Sequence, residues 1–297
     1  MTIVILYRGK CGLSKCVTRY LVTMAVMDLL VVFLDLILRH IPIVYREHFR
    51  FMNYIRVCNI HAVLLYAITD CSVWATVTFT FDRFVAISCQ KLKRKYCTER
   101  IAAVVLGTVI VLCCLSNIFW YFVFKNYYPF INFPWFCFMP IVVMRSFFWL
   151  IVISIHHLLN PALPFILILL LNVFTVRNIL VSSRARRRLR GKSIGDRPKD
   201  PEMESRRKSI ILLFVISWNF ILLWAVFALH SIWYQMFVFG YDEIWPPDTL
   251  NQLGSMLQQL SCCTNTFIYA VMQTKIREQM KDVVKYPFKL IVKVIKM

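Results

Sequence analysis

The feature that most constrains this chain is a series of apolar runs too long for a soluble core. They cover about residues 20–44, 57–88, 101–124, 147–181, 209–238 and 249–272. A helix needs about 20 consecutive, mostly apolar residues to cross a ~30 Å hydrocarbon layer. Backbone polar groups inside lipid must be satisfied within the span, so unbroken runs of this length select helices over strands. Composition agrees: 59% of the 297 residues are hydrophobic, and mean hydropathy is +0.63. Soluble domains sit nearer 45–50% apolar. The expected fold class is all-α integral membrane.

Charge then orients the bundle. Residues 2–7 are apolar but too short to span, and Arg8-Gly9-Lys10 stops them. Residues 1–7 therefore read as the remnant of a first transmembrane helix, 8–272 as the bundle of spans two to seven, and 273–297 as a basic amphipathic cytoplasmic tail. No basic leader or cleavage pattern marks a signal peptide. With the first stub ending inside, 29 of the 35 Lys and Arg lie on the inner side and 6 on the outer side. That asymmetry is the inside bias of basic residues. It also accounts for the net charge of +20 without a nucleic-acid partner, with anionic lipid as the natural neighbour. The polar, basic stretch 182–208 is expected to be a flexible loop. Most of the eleven Cys fall inside spans and read as free thiols acting as small hydrophobes.

Several polar residues inside or at the edge of spans ask for explanation. Asp82-Arg83 ends a long apolar run beside the basic segment 91–95. It reads either as a breakable ion pair at an inner helix mouth or as an Arg snorkelling at a membrane edge. Asp28 lies mid-span, where an ionised carboxylate is costly and usually functional. Asp35 and Arg39 stand four apart on one helix face and suit a local ion pair. Asp70 lies midway along its span and pairs with His156 or His157 of span five, or is a neutral acid bonded to backbone or Thr. A metal site from these groups is disfavoured, because adjacent histidines point about 100° apart on a helix.

Taken in order, the motifs resemble those of rhodopsin-like (class A) G-protein-coupled receptors over nearly the whole chain. Asp82-Arg83-Phe84 resembles the family's Asp-Arg-Tyr. Residues 21–30, with Asp28, resemble its span-two Leu-x-x-x-Asp. Phe220 and Trp224 resemble the span-six Phe-x-x-x-Trp. Phe214 and Trp218 have the same spacing. Asn265 to Tyr269 resembles Asn-Pro-x-x-Tyr with Thr266 for Pro, and Ile276-Arg277 resembles the start of a surface helix. Val226 stands where span six carries its Pro, and span four has no central Trp. Within the family, the arrangement is similar to an orphan branch whose best-known member is proposed to respond to aromatic amino acids.

The resemblance implies a seven-helix bundle with most of the first helix missing. It implies a disulfide between Cys58 and Cys137, and a G-protein switch formed by Asp82, Arg83, Phe84, Asn265 and Tyr269. Its ligand pocket carries over to Leu65, Thr69, His156, Trp224, Phe227, Ser255 and Gln259. Leu65 occupies the position of the amine receptors' Asp, which argues against a biogenic amine and leaves an amino-acid-like or peptide-like small ligand. Asp28, Ser72 and Asn265 resemble the family's sodium pocket, with Ile68 replacing one of its residues; a neutral Asp28 bonded to Asn265 is the alternative. No other cofactor is implied. The implied partners are an extracellular ligand, a heterotrimeric G protein and the plasma-membrane bilayer, with the C-terminus cytoplasmic. A non-signalling truncated receptor fragment is the alternative. A transporter fits less well, lacking internal repeats, and no nucleophile or paired-acid arrangement suggests an enzyme.

Overall fold

The computed structural model describes residues 2–7, 13–45, 48, 55–126, 137–190, 201–240, 244, 246–272 and 277–278. Helix α1 (Thr2–Tyr7) packs Ile5 and Leu6 into the bundle. Helix α2 (Lys15–Val31) starts where the Ser14 side chain accepts from the Val17 N–H. It continues through wide π-type turns over Val32–His40. Helix α3 (Ile55–Ser88) is the central rod. At 1.5 Å per residue its 34 residues extend about 50 Å, well beyond one hydrocarbon layer. Helix α4 (Gln90–Tyr96) follows, then α5 (Glu99–Ser116), capped by Thr98 accepting from the Ile101 N–H.

A two-residue antiparallel ribbon pairs β1 (Lys125–Asn126) with β2 (Cys137–Phe138). Helix α6 (Phe147–His157) runs into wide turns over Leu158–Ala162, where Asn160 is extended and the Asn160–Pro161 bond is cis. Helices α7 (Leu163–Arg190), α8 (Pro201–Val238) and α9 (Asp248–Met272) complete the bundle.

Among the described residues, five helical segments are long and apolar enough to cross a membrane: Lys15–His40, Cys58–Ser88, Glu99–Val123, Phe147–Val181 and Ile210–Val238. Helix α9 is more polar, but its 25 residues reach about 37 Å. Large side chains such as Val142, Leu222 and Leu229 are exposed on the outside of the bundle, where lipid is their solvent. Three buried clusters stack along α3. Tyr20, Phe79, Ile216 and Tyr269 pack toward the Arg83 end; Val73, Ile168, Phe220 and Trp224 form the middle; Cys58, Trp120 and Phe124 close the opposite end. Helices α8 and α9 approach closely at Gly254, where a Cβ would lie 3.0 Å from the Phe227 Cα.

The 182–208 stretch departs from expectation. Helix continues to Arg190 and resumes at Pro201, so the expected loop shrinks to 191–200, outside the described residues. Arg, Leu and Ala are good helix formers, and extending an existing helix is far easier than nucleating one. Pro201 suits a helix start, where its missing N–H is not needed. Residues 127–136 and nearly all of the tail 273–297 also lie outside the described residues.

Candidate ligand cavity and switch

A cavity of about 260 Å³ opens between α2, α3, α6, α8 and α9. Leu65, Thr69, His156, Trp224, Phe227, Ser255 and Gln259 all line it. One helical register explains this convergence. Leu65 and Thr69 are one turn apart on α3, and the Thr69 hydroxyl donates to the Leu65 carbonyl at 2.8 Å. Trp224 stacks on Phe220 (5.1 Å between centroids) and meets Phe227 edge-on at 6.3 Å. Trp218, which shares the spacing of Trp224, is 56% exposed on the outside of α8; the 220/224 pair is the inward one. Arg39 donates to Asp35 at 2.9 Å, and Gln259 donates to the other carboxylate oxygen, tying α9 to α2 at the cavity wall. The wide turns over Val32–His40 lie where both charged groups meet the cavity.

Asp70 pairs with His156 rather than His157. His156 Nε2 lies 3.2 Å from Asp70 Oδ2, and Asn117 Nδ2 donates to the same oxygen at 2.6 Å. His157 also lines the cavity, 6.4 Å from the Tyr234 ring. Tyr66 and Trp120 stack at 4.1 Å and flank His156 edge-on.

Toward the Arg83 end a polar chain crosses the bundle. Asp28 accepts from the Ser72 hydroxyl at 2.5 Å and from Asn265 Nδ2 at 3.0 Å. Asn265 Oδ1 in turn accepts from Asn219 Nδ2 at 3.1 Å. Thr264 donates to Asn219 Oδ1 at 2.9 Å, and Asn219 reaches Ser261 at 3.4 Å. A sodium ion needs free oxygen lone pairs. Here Asn265 turns its N–H to Asp28 and gives its carbonyl to Asn219, and Ile68 supplies none. Asp28 and Ser72 keep free oxygen lone pairs, and the Asn265 carbonyl is taken by Asn219.

At the far end Asp82 is fully buried and Arg83 is 7% exposed. Arg83 donates to Asp82 Oδ2 from Nε (3.0 Å) and from a terminal N–H. The Cys16 thiol donates to Asp82 Oδ1 at 3.3 Å, and the Cys97 thiol lies 3.7 Å from the Asp82 carbonyl. The guanidinium sits 6.0 Å from the Phe79 ring. Phe84 neighbours Phe81, with centroids 6.5 Å apart. The buried Tyr269 hydroxyl contacts Met24 Sδ at 3.9 Å. At the opposite end Cys58 is disulfide-bonded. The Cys137 backbone pairs with Asn126, while its side chain lies outside the described residues.

Sequence reasoning passed over Asn219, Asn117 and Cys16. The two amides were findable, because an Asn inside an apolar run must find a partner. Cys16 gave no signal beyond its place near the helix start. A sequence model of the family described as 7 transmembrane receptor (rhodopsin family) matches residues 1–269. The match covers most of the chain, and its members are receptors rather than enzymes. The cavity, the polar chain and the buried ion pair thus stand in a multi-pass membrane protein, and this chain belongs to the rhodopsin family of seven-transmembrane receptors.

Proposed function

We propose that this receptor couples an extracellular small ligand to a heterotrimeric G protein at the plasma membrane, with its C-terminus in the cytoplasm. The observation that carries this reading is continuity. Helix α3 carries the cavity wall at Leu65 and Thr69, the Ser72 end of the Ser72–Asp28–Asn265–Asn219 hydrogen bonds, and the buried Asp82–Arg83 pair toward its other end. The cavity is small and mixes aromatic walls with a few polar groups, which suits a compact amphipathic ligand. Leu65 leaves no acid where biogenic amines are held, so an amino-acid-like or peptide-like molecule is favoured. A Cys58–Cys137 disulfide would pin the outer loop over α3.

Release of Arg83 from Asp82 is the switching event. The freed guanidinium then joins Asn265 and Tyr269 in receiving the G protein. The test is a screen of amino acids and short peptides for G-protein nucleotide exchange, with Arg83→Ala as control. A ligand-driven exchange signal lost in Arg83→Ala supports the reading. A response that survives Arg83→Ala and needs no G protein overturns it.

A further inference from the structure

Three helical elements meet at one polar cluster beside the cavity: Asp70 from α3, Asn117 just past α5, and His156 from α6. All three are buried, with 3%, 0% and 8% exposure. Asn117 fixes the polarity of the cluster. Its N–H groups reach Asp70 Oδ2 at 2.6 Å and the Cys113 carbonyl at 2.8 Å. Its own Oδ1 is left to accept, and His156 Nε2 lies 3.2 Å away. The same Nε2 lies 3.2 Å from Asp70 Oδ2. Both neighbours of Nε2 are therefore acceptors, so Nε2 carries the hydrogen.

The consequence falls on the remaining atoms. In a neutral imidazole, Nδ1 is then a lone-pair acceptor, and it is buried without a hydrogen-bond partner. Both bonds to Asp70 end on Oδ2; Oδ1 takes neither. The cluster offers acceptor atoms, and the partners of Asp70 are an amide and an imidazole. Arg39, the Lys or Arg on the described wall, is held by Asp35 at 2.9 Å. An ionised carboxylate in the middle of a membrane span is costly unless something answers its charge. The stacked Tyr66 and Trp120 rings flank His156 and line the same cavity, and aromatic faces attract a cation.

We propose that the Asp70–Asn117–His156 cluster is a ligand subsite for a primary ammonium group borne on a small apolar or aromatic body. The cation is taken five residues further along α3 than Leu65 and on the α5–α6 side, where these contacts point. This rests on the reading of the cavity as the ligand site.

The test uses the full chain in lipid nanodiscs and a near-isosteric pair of probes, 4-phenylbutylamine and 4-phenyl-1-butanol. Binding is read as ligand-induced thermal stabilisation. The amine should bind at least tenfold more tightly than the alcohol. Asp70→Asn should abolish that preference. His156→Gln should reduce the preference by a smaller factor. Equal binding of the two probes, no binding of the amine, or a preference that survives Asp70→Asn overturns the proposal. The wild-type comparison needs no variant to fold. The assay contains no G protein, so failure of coupling leaves the amine result standing, and failure of the amine preference leaves coupling standing.

Discussion

Asn219→Leu is the most direct probe of the polar chain across the bundle. Leu keeps most of the volume and removes both polar ends of the side chain. Two good hydrogen bonds disappear: Asn219 to Asn265 at 3.1 Å, and Thr264 to Asn219 at 2.9 Å. The 3.4 Å contact with Ser261 adds little. Thr264 also reaches the Leu260 carbonyl at 2.8 Å, so its loss strands no donor. Hydrogen bonds between membrane helices average about 0.6 kcal/mol each, giving about 1.2 kcal/mol for the pair. On the proposed reading, the resting state is the one with Asp82–Arg83 paired and buried. The loss therefore falls on the resting state and shifts the equilibrium toward activation about sevenfold, since 1.4 kcal/mol is a factor of ten. The assay is basal nucleotide exchange on reconstituted G protein without ligand, at matched receptor density. A five- to tenfold rise is expected. A basal rate within twofold of wild type, in a protein that still melts cooperatively, would refute the claim that these bonds hold α8 against α9 at rest.

Asp82→Asn leaves Arg83 without its carboxylate. Breaking a buried pair costs about 3–5 kcal/mol, so basal exchange should rise more than in Asn219→Leu; a smaller rise contradicts the ion pair as the dominant latch. Trp74→Phe deletes the 2.8 Å bond from the indole N–H to Asn160 Oδ1 at the helix break. About 0.6–1.7 kcal/mol is lost, and melting should fall by about 2–4 °C per kcal/mol, which a thermal-shift curve measures. Burial, and then the Asp82 carboxylate, push the Cys97 thiol up to about 12. Thiolate is the reactive form, so at pH 8 site-resolved mass spectrometry should find maleimide adding to Cys97 over 100-fold more slowly than to glutathione; comparable rates would sink the assignment. Gly254→Ala should cost about 1–3 kcal/mol through overpacking, since its methyl would lie 3.0 Å from the Phe227 Cα; a melting temperature at or above wild type would show that the helices can part freely.

The cavity was readable from sequence because a helix is a stiff ruler. The family resemblance anchored at Arg83, Trp224 and Tyr269 implied Leu65, Phe227 and Ser255, and regular helix keeps such positions in register over several turns. The same ruler fails where the helix is not regular. The wide turns over Val32–His40 alter the register there, and the break at Asn160 is marked in sequence only by Pro161 and Pro164. Partner choice was less legible than position. Asp70 announced that it needed a partner, yet nothing in the chain distinguished His156 from His157 or pointed to Asn117 as the third member. Asn219 sits among apolar neighbours, and its role appears only when α9 is laid beside α8. The extent of α7 beyond the membrane was misjudged because charge was read as disorder, although a run of Arg propagates an existing helix well.

The contact at Gly254 gives the bundle a point without slack. Phe227 is at once part of the cavity wall and the surface against which the α9 backbone rests. A side chain packed against another side chain can yield by changing rotamer. A side chain whose own Cα and Cβ meet a bare backbone cannot. Pressure on Phe227 from inside the cavity is therefore passed to α9 as whole-helix motion rather than absorbed as local rearrangement. The wall at this one place behaves as a rigid tappet between two shafts, and its stiffness is set by the absence of a single methyl group.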